Sequence, residues 1–357
     1  MLERAPRILI VAGGTGGHIF PALAVAAELK QRGVDVRWVG TPNSMEARLV
    51  PQHGLEIETI DMEGVRGKGM LQLVKAPFMV TRALWQALRL LRRFRPDCVL
   101  GMGGYVTAPT GLAARILGIP LLIHEQNAVA GMSNKFLARI SCRILEAFEG
   151  TFPDRKNRLC TGNPVREDIS SLQHLPPEEA LRVLVVGGSL GALTINQVVP
   201  QALKAANLGK LVRVWHQTGE RHQELTQSLY LENGVGARVE PFIEDMAAAY
   251  AWADLVICRA GALTVAELAC AELPSILVPF PFAVDDHQTA NARHLSDRGA
   301  AVLLPQNEMT KERVAGLLTE FSTHREQLKR MAAAARTAAR ADATRIVTHQ
   351  CLEVAHA

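Results

Sequence analysis

Short apolar blocks alternate with longer amphipathic segments along the chain, and this pattern predicts repeated strand–helix units. Strands are expected at residues 7–12, 34–39, 98–101, 121–124, 182–186, 212–216, 255–258 and 275–278. Helices are expected to begin near residues 21, 71, 103 and 331. This alternation is typical of an α/β fold with parallel sheets, which bind ligands at the carboxyl ends of their strands.

A glycine-rich turn occurs twice, each time after an apolar strand and before a helical segment. Residues 8–18 read ILIVAGGTGGH and residues 184–194 read LVVGGSLGALT. Backbone N–H groups and a helix N-terminus can hold an anion at such a turn. The two turns lie 187 − 13 = 174 residues apart, about the length of one domain. We therefore predict two Rossmann-like domains facing across a cleft, at residues 1–163 and 164–340, and a C-terminal helix at 341–357 that packs back on the first domain.

Composition excludes several classes of protein. The 357 residues are 48% hydrophobic and 21% charged, which is enough to build a core in each of two domains. A net charge of +4, with three tyrosines and four tryptophans, argues against a nucleic-acid partner. The six cysteines form no CxxC motif and are expected to be reduced thiols. Neither a signal peptide nor an apolar run of about 18 residues is evident, so we expect a cytoplasmic chain without a membrane span.

The glycine turns do not carry the signature of a nicotinamide or ATP site. A dinucleotide site needs an acidic residue after the second strand, but that strand ends in Gly40-Thr41. The P-loop pattern GxxxxGK[ST] is absent as well. The acidic pair Asp285-Asp286 is better explained as a solvated turn than as a metal site. We therefore expect no cofactor and no bound metal.

Two side chains are candidates for proton transfer. His18 aligns with Ala192 of the second glycine turn, so the fold itself does not require a histidine there. A helix N-terminus disfavours the imidazolium form, which leaves a neutral ring that can accept a proton. Glu125 ends a predicted strand and is the second candidate. The alternatives are that His18 only hydrogen-bonds a neighbouring loop or contacts a ligand, and that Glu125 caps the next helix together with Asn127.

The second half carries a turn suited to a sugar nucleotide. After strand 255–258, the amides of residues 262–264 begin a helix and could face a diphosphate. Glu267 could accept hydrogen bonds from a ribose, or could simply stabilise the helix dipole. Gln288 and Asn291 share a helical face and could bind sugar hydroxyls.

Residues 75–95 combine apolar positions with a basic stripe. Lys75, Arg82 and Arg89 are spaced at seven residues along this predicted helix, and residues 64–69 before it form a basic, glycine-rich loop. An apolar helix with a basic stripe can lie on an anionic membrane surface. The alternative is a packed helix with a solvated basic face.

Seven motifs taken together resemble one bacterial family, the N-acetylglucosaminyltransferases that make lipid II, known as the MurG family. They are GGTGGH, GMGGY, HEQN, TGNPVR, GGSLGA, RAGALTVAE and HQTAN, and the resemblance covers nearly the whole chain. It implies a GT-B glycosyltransferase fold and inverting transfer of GlcNAc from UDP-GlcNAc to the MurNAc 4-hydroxyl of lipid I, undecaprenyl-pyrophosphoryl-MurNAc-pentapeptide. It also implies a role in peptidoglycan synthesis, no required metal or cofactor, and peripheral attachment to the cytoplasmic face of the inner membrane.

The resemblance implies roles for individual residues. Donor contacts are implied for Arg166, Ser189, Ile243, Ala262, Leu263, Thr264, Val265, Ala266, Glu267 and Gln288 in this sequence, with Thr15, Gly16, Gly17 and Asn127 near the transferred sugar. Acceptor contacts are implied for Gly14, Gly103, Gly104 and Tyr105, with His18 and Glu125 near the hydroxyl. The family often carries paired glutamines where this chain has His287-Gln288. The alternatives are a UDP-GlcNAc 2-epimerase on the same fold, which needs no lipid surface, and a non-enzymatic nucleotide-binding protein.

Overall fold

The computed structural model describes residues 4–63, 70–153, 156–188 and 191–356, with the backbone alone for residues 70–76. The chain divides into two compact units. One unit comprises Met1–Arg166 and Ala341–Ala357, and the other comprises Glu167–Arg340.

The first unit is built on a parallel sheet of seven strands. These are β1 (Arg7–Ala12), β2 (Asp35–Gly40), β3 (Glu56–Thr59), β4 (Cys98–Gly103), β5 (Leu121–Glu125), β6 (Arg143–Glu146) and β7 (Arg158–Cys160). Their order in the sheet is β3-β2-β1-β4-β5-β6-β7. Strand order therefore reverses beside β1, and such a reversal opens a crevice at the carboxyl ends of the strands.

Helices cover both faces of this sheet. They are α1 (Gly16–Gln31), α2 (Met45–Gln52), α3 (Met70–Phe94), α4 (Thr107–Ile116) and α5 (Met132–Leu137). Ile8 and Ile10 of β1 pack in the core on the α1 side, whereas Leu9 and Val11 pack in the core on the α3 side. All four side chains are fully buried, as expected for a central parallel strand covered on both faces.

The second unit repeats this plan. It opens with the short helix α6 (Glu167–Ser170), and its strands are β8 (Leu181–Val186), β9 (Val212–Gln217), β10 (Arg238–Glu240), β11 (Leu255–Cys258), β12 (Ser275–Leu277) and β13 (Ala301–Leu303). All are parallel, in the order β10-β9-β8-β11-β12-β13. The helices are α7 (Leu193–Ala206), α8 (Gln223–Glu232), α9 (Met246–Trp252), α10 (Ala262–Cys270), α11 (His287–Ser296), α12 (Lys311–Thr323) and α13 (Arg325–Ala338).

The last helix, α14 (Ala343–Ala355), belongs to the first unit although it follows the second in the chain. Val347 and Cys351 are fully buried in the core that lies beneath α1. The Cys98 thiol donates a hydrogen bond of 3.5 Å to the Cys351 carbonyl. The chain thus passes through the second unit and returns to complete the core of the first.

The predicted α/β class is confirmed, but several element boundaries were wrong. The helix expected from residue 103 begins at Thr107, because Gly103 and Gly104 have φ of 107° and 94°, which is not helical. The first helix begins at Gly16, earlier than predicted. The strands β3, β6, β7, β10 and β13 were missed, since each has only three or four residues and, except in β6, most of these residues are not buried.

Candidate active site

The first glycine turn connects β1 to α1 and leaves amides free for a ligand. Thr15 is the N-cap of α1, and its carbonyl accepts from the N–H groups of His18 and Ile19 at 3.0 and 3.1 Å. The N–H groups of Gly16 and Gly17 precede these bonds and have no partner within the helix. Gly14 and Thr15 are exposed. The turn therefore presents amide donors and the positive end of a helix dipole.

A buried carboxylate that the sequence analysis missed fixes the shape of this turn. Glu46 accepts from the Gly14 N–H at 3.2 Å and from the N–H and hydroxyl of Thr41 at 3.0 and 2.8 Å. Burial pushes the pKa of Glu46 upward, but these hydrogen bonds outweigh it and leave the pKa lowered. A Cβ at Gly13 would lie 2.5 Å from Glu46 Oε1. The sequence feature that could have drawn attention to Glu46 was Ser44, which caps α2 two residues before it.

The structure brings His18 together with two residues from other strands. Its Nδ1 lies 2.9 Å from Oε1 of Gln126, which directly follows β5. The ring also lies against the end of β4, because a Cβ at Gly103 would be 2.6 Å from the same nitrogen. Gly103 is buried, so it supports the histidine ring through its backbone.

The carboxylate of Glu125 holds the loop that follows β5 by accepting four hydrogen bonds from it and from the start of α5. Its Oε1 accepts from the N–H and the side-chain amide of Asn127 at 3.1 and 3.2 Å. Its Oε2 accepts from the N–H of Gly131 and the amide of Asn134 at 3.0 and 2.9 Å. The side chain is buried. These four hydrogen bonds form the loop-capping arrangement that the sequence left open as an alternative to proton transfer.

The loop after β4 packs on the glycine turn. A Cβ at Gly104 would lie 2.5 Å from the Gly13 carbonyl oxygen, so only glycine fits there. Tyr105 follows with 52% of its surface exposed. The Thr107 hydroxyl donates to the Gly103 carbonyl at 2.7 Å and starts α4. Of the predicted acceptor residues, Gly14 and Tyr105 are therefore exposed, and Gly103 and Gly104 shape the turn.

In the second unit, the turn between β11 and α10 has the geometry of an anion site. Gly261 is the N-cap, and the first backbone hydrogen bond of the helix runs from the Val265 N–H to the Gly261 carbonyl at 2.9 Å. The N–H groups of Ala262, Leu263 and Thr264 therefore lack partners within the helix. Val265 is fully buried and its N–H is already paired with Gly261, whereas Ala266 is half-buried.

Glu267 lies one turn along α10 and is held by an aromatic hydroxyl. The Tyr250 hydroxyl donates to Glu267 Oε2 at 3.1 Å, and Tyr250 is 1% exposed. The carboxylate of Glu267 is half-buried, which leaves part of its surface accessible. Ile243, before α9, is buried in this unit. Arg166 is half-buried at the last position of the first stretch of the other unit, and Ser189 lies outside the described residues.

The start of α11 separates the two residues that the sequence placed on one sugar-binding face. Gln288 Oε1 accepts from the Phe280 N–H at 2.9 Å. Its amide oxygen is therefore already paired, and Gln288 could bind a sugar hydroxyl by donating from its amide nitrogen. Asn291 is fully buried and donates to the Ala260 carbonyl at 3.2 Å, so its predicted contact with sugar hydroxyls was wrong. Helical spacing predicted that Gln288 and Asn291 share a face of α11, but it did not predict that Asn291 is buried. His287 donates from Nδ1 to the Val284 carbonyl at 2.7 Å.

The acidic pair before α11 forms a turn. Asp285 and Asp286 have φ of 53° and 50°, and Asp286 accepts from the Thr289 hydroxyl at 2.7 Å. Among the described residues, no group of three or more histidine, cysteine, aspartate or glutamate side chains could hold a metal ion. No helix in the described part of the chain is long and apolar enough to cross a membrane.

Comparison with known proteins identifies the family. Residues 8–145 match the glycosyltransferase family 28 N-terminal domain, and residues 182–346 match the C-terminal domain of the same family. The chain belongs to glycosyltransferase family 28. Family 28 membership confirms the predicted glycosyltransferase class, and the two similar α/β units agree with the predicted GT-B fold.

Relatives within family 28 align along almost the whole chain. The UDP-N-acetylglucosamine--N-acetylmuramyl-(pentapeptide) pyrophosphoryl-undecaprenol N-acetylglucosamine transferase of Stutzerimonas stutzeri is 54% identical, with 99% of each chain covered. The Azotobacter vinelandii protein of the same name is 55% identical, with 98% of each covered. The crystal structure of Acinetobacter baumannii MurG is 44% identical with a TM-score of 0.82, covering 98% of this chain and 99% of that one.

The epimerase alternative is not favoured. A Listeria monocytogenes structure described as a UDP-N-acetylglucosamine 2-epimerase has a TM-score of 0.69 but only 14% identity, covering 96% of this chain and 95% of that one. At that identity the likeness concerns the fold alone. The family 28 relatives are transferases by name and more than 50% identical.

Proposed function

We propose that this family 28 enzyme transfers GlcNAc from UDP-GlcNAc to the 4-hydroxyl of MurNAc in undecaprenyl-pyrophosphoryl-MurNAc-pentapeptide, releasing UDP in peptidoglycan synthesis. One observation carries the proposal. The chain presents two helix N-termini with different neighbours, one beside the imidazole of His18 and one beside the carboxylate of Glu267. The first suits an acceptor that must lose a proton, and the second suits a nucleoside diphosphate.

The second unit is proposed to hold the donor. The amides of Ala262, Leu263 and Thr264 bind the diphosphate, and Glu267, oriented by Tyr250, accepts from the ribose hydroxyls. As the bond to the sugar breaks, the same amides and helix dipole stabilise the negative charge of the UDP leaving group. Further donor contacts are proposed for Arg166, Ser189, Ile243 at the uracil, Gln288 through its amide nitrogen, and Ala266. The buried Val265, which the resemblance also implied, is proposed to support this turn from the core.

The first unit is proposed to activate the acceptor. The MurNAc 4-oxygen attacks the anomeric carbon opposite the UDP oxygen, so the new glycosidic bond forms as the old one breaks and the configuration inverts. His18 takes the hydroxyl proton in this step. We assign Glu125 to holding its loop, because its oxygens already accept four hydrogen bonds. Thr15, Gly16, Gly17 and Asn127 are proposed near the GlcNAc, and Gly14, Gly103, Gly104 and Tyr105 near the lipid pyrophosphate.

Helix α3 supports a peripheral position on the cytoplasmic face of the inner membrane. Phe78 and Trp85, two helical turns apart and therefore on the same face of α3, are 76% and 59% exposed, and we call these two residues the α3 apolar patch. The Arg89 guanidinium lies 5.7 Å from the Trp85 ring centre, which places positive charge beside the patch. Apolar side chains next to basic ones suit an anionic bilayer surface.

Some residues of the helix predicted at 75–95 make contacts within the protein and are not available to a membrane. Leu91 and Phe94 are buried in the core, and Arg82 pairs with Asp61 at 2.6 Å, which neutralises part of the basic stripe. The Lys75 side chain and the loop at residues 64–69 lie outside what the structure describes. The membrane proposal therefore depends on the α3 apolar patch and Arg89.

UDP release with and without a lipid I analogue tests the proposed reaction. We expect release from UDP-GlcNAc only when the acceptor is present, at the same rate in EDTA. Release without acceptor, or conversion of UDP-GlcNAc to its C2 epimer, would contradict the proposal. A variant with Phe78 and Trp85 changed to serine should keep this activity on a detergent-solubilised acceptor but lose binding to anionic vesicles.

A further inference from the structure

A chain of hydrogen bonds inside the first unit runs from the end of β7 to the imidazole of His18. It links the Gly162 carbonyl, the His124 ring, the Gln126 amide and the His18 ring, at 3.0, 3.1 and 2.9 Å in turn. His124 and Gln126 are fully buried. Water therefore does not substitute for any of these partners, and each must be paired with a group of the opposite hydrogen-bonding type.

The donor and the acceptor of each hydrogen bond in this series can be assigned by starting from the buried Gly162 carbonyl. The Gly162 carbonyl can only accept, so His124 donates to it from Nε2. Burial lowers the pKa of His124 to about 4, so the ring is neutral near pH 7 and its Nδ1 must be an acceptor. The group facing Nδ1 therefore donates, and this group is the amide nitrogen of Gln126.

A second contact fixes the same orientation of Gln126. Its amide nitrogen also lies 3.4 Å from the backbone carbonyl oxygen of His124. A flipped amide would place two oxygens against each other there, because both can only accept. Gln126 Oε1 therefore faces His18 Nδ1, and His18 must donate from that nitrogen.

We infer that Gln126 and His124 are positioning residues that hold neutral His18 in the tautomer with the proton on Nδ1 and the lone pair on Nε2. Nε2 is then the atom that accepts the acceptor hydroxyl proton. Among the described residues of the first unit, no protein group hydrogen-bonds Nε2. Gly103 supports the ring on its Nδ1 side, which keeps it in contact with Gln126. The catalytic meaning of this inference rests on the proposed function, whereas the tautomer itself does not.

The tautomer can be read directly by NMR, independently of activity. With histidine labelled in ¹⁵N, a long-range ¹H–¹⁵N correlation spectrum at pH 8 distinguishes the two neutral tautomers, and His18→Ala assigns the His18 signals among the 11 histidines. We expect His18 of the wild type in the Nδ1–H form. In Gln126→Met, which removes the amide but keeps the length of the side chain, we expect the signals to move toward the Nε2–H form.

Gln350→Met is the matched control, because Gln350 is a buried glutamine of the same unit on α14 and contacts Glu353. We expect no change in its His18 tautomer. Gln126→Glu is the second variant: in its neutral form this buried carboxyl group donates its O–H to His124 Nδ1 while its carbonyl oxygen accepts from His18 Nδ1, so it should keep the Nδ1–H form. An Nε2–H tautomer in the wild type, or an unchanged tautomer in Gln126→Met, would overturn the inference.

Kinetics separate this inference from the proposed function. In Gln126→Met we expect kcat to fall on the order of 10²-fold, with an unchanged KM for UDP-GlcNAc and partial rescue in Gln126→Glu. A tautomer shift with full kcat would support the hydrogen-bond chain and contradict His18 as the base. A loss of kcat without a tautomer shift would overturn the positioning role, because Gln126 would then act in another way.

Discussion

The two units of this glycosyltransferase share the order of their first six strands, to which the first unit adds β7, but they differ in the side chains around their glycine turns. In the first unit, Glu46 accepts from the Gly14 N–H of the turn, and Gln126 contacts the imidazole of His18 in the first turn of α1. At the equivalent site of the second unit, His18 is replaced by Ala192, which is buried. The two sheets therefore share a plan, and the side chains around the two turns differ.

Each unit also contains a buried neutral histidine with a hydrogen-bond network around it, and the two networks lead to different places. His216 on β9 pairs with Tyr230 at 2.8 Å and with Asn196 at 3.0 Å, and Asn196 in turn donates to the Thr218 carbonyl. That network ends inside the second unit. The corresponding network of His124 continues through Gln126 to the half-buried His18, so the first unit connects its interior to the side chain proposed as the base.

The largest effect expected from this comparison is the loss of His18. In His18→Ala we expect the transfer rate to fall on the order of 10²-fold or more, because the acceptor hydroxyl loses its base. Single-turnover transfer to a lipid I analogue measures this. Ala192→Gly at the equivalent turn of the second unit is the control and should transfer at a rate near that of the wild type. Equal losses in both variants would remove the distinction between the turns.

Acid should destabilise both units through their buried histidines. Burial lowers the pKa of His124 to about 4 and that of His216 to about 3, against 6.5 in the unfolded chain. Between these values the unfolded state binds more protons, so this stability is complete above pH 6.5 and is lost as the pH falls toward 4. We expect a loss of roughly 2–3 kcal/mol per histidine between pH 6.5 and 4.5.

Hydrogen exchange of peptides from β1 and β8 measures this loss in each unit separately. Glu46, whose pKa is lowered from 4.5, adds a further loss in the first unit only below about pH 4.5, as its carboxylate becomes protonated. Protection that stays constant in either unit over this pH range would contradict the neutral buried histidine assigned to it.

A smaller effect is expected at Glu125, and it should be one of stability. Glu125→Gln turns one oxygen into an amide that faces donors, which should cost about 1–3 kcal/mol of unfolding free energy. Urea unfolding measures this cost. The transfer rate of the folded variant should exceed that of His18→Ala by at least about tenfold. Rates as low as in His18→Ala would restore Glu125 as the base.

The smallest expected effect comes from the glycine beneath the imidazole. Gly103→Ala places a methyl group where the His18 ring lies, so we expect the transfer rate to fall about tenfold as the ring moves. Gly118→Ala is the matched control, because Gly118 also has positive φ, 71°, but an added Cβ would meet nothing within 4 Å. Its variant should lose about 1 kcal/mol of stability and keep its activity. Equal activity of the two variants would contradict the contact.

Local sequence patterns could predict the fold class and the glycine turns, but not the distant side chains that contact the first turn and His18. The glycine clusters and apolar runs carry the strand–turn–helix units, because these depend on residues that are close in sequence. Glu46 and Gln126 act on the first turn from 32 and 108 residues away. Their contacts depend on strand order, which one sequence does not reveal. Asn291 shows the same limit, since its helical face was right and its burial was not.

UDP affinity measured beside transfer rate tests the division of labour most directly. Titration calorimetry with UDP on the wild type, His18→Ala and Glu267→Ala should give an unchanged Kd for His18→Ala and about a tenfold weaker one for Glu267→Ala, which loses a hydrogen bond to a charged group. Transfer by His18→Ala should remain slower on the order of 10²-fold or more even when UDP-GlcNAc is saturating. If His18→Ala instead weakened UDP binding as much as Glu267→Ala, the first unit would share in holding the nucleotide, and the assignment of separate roles would be wrong.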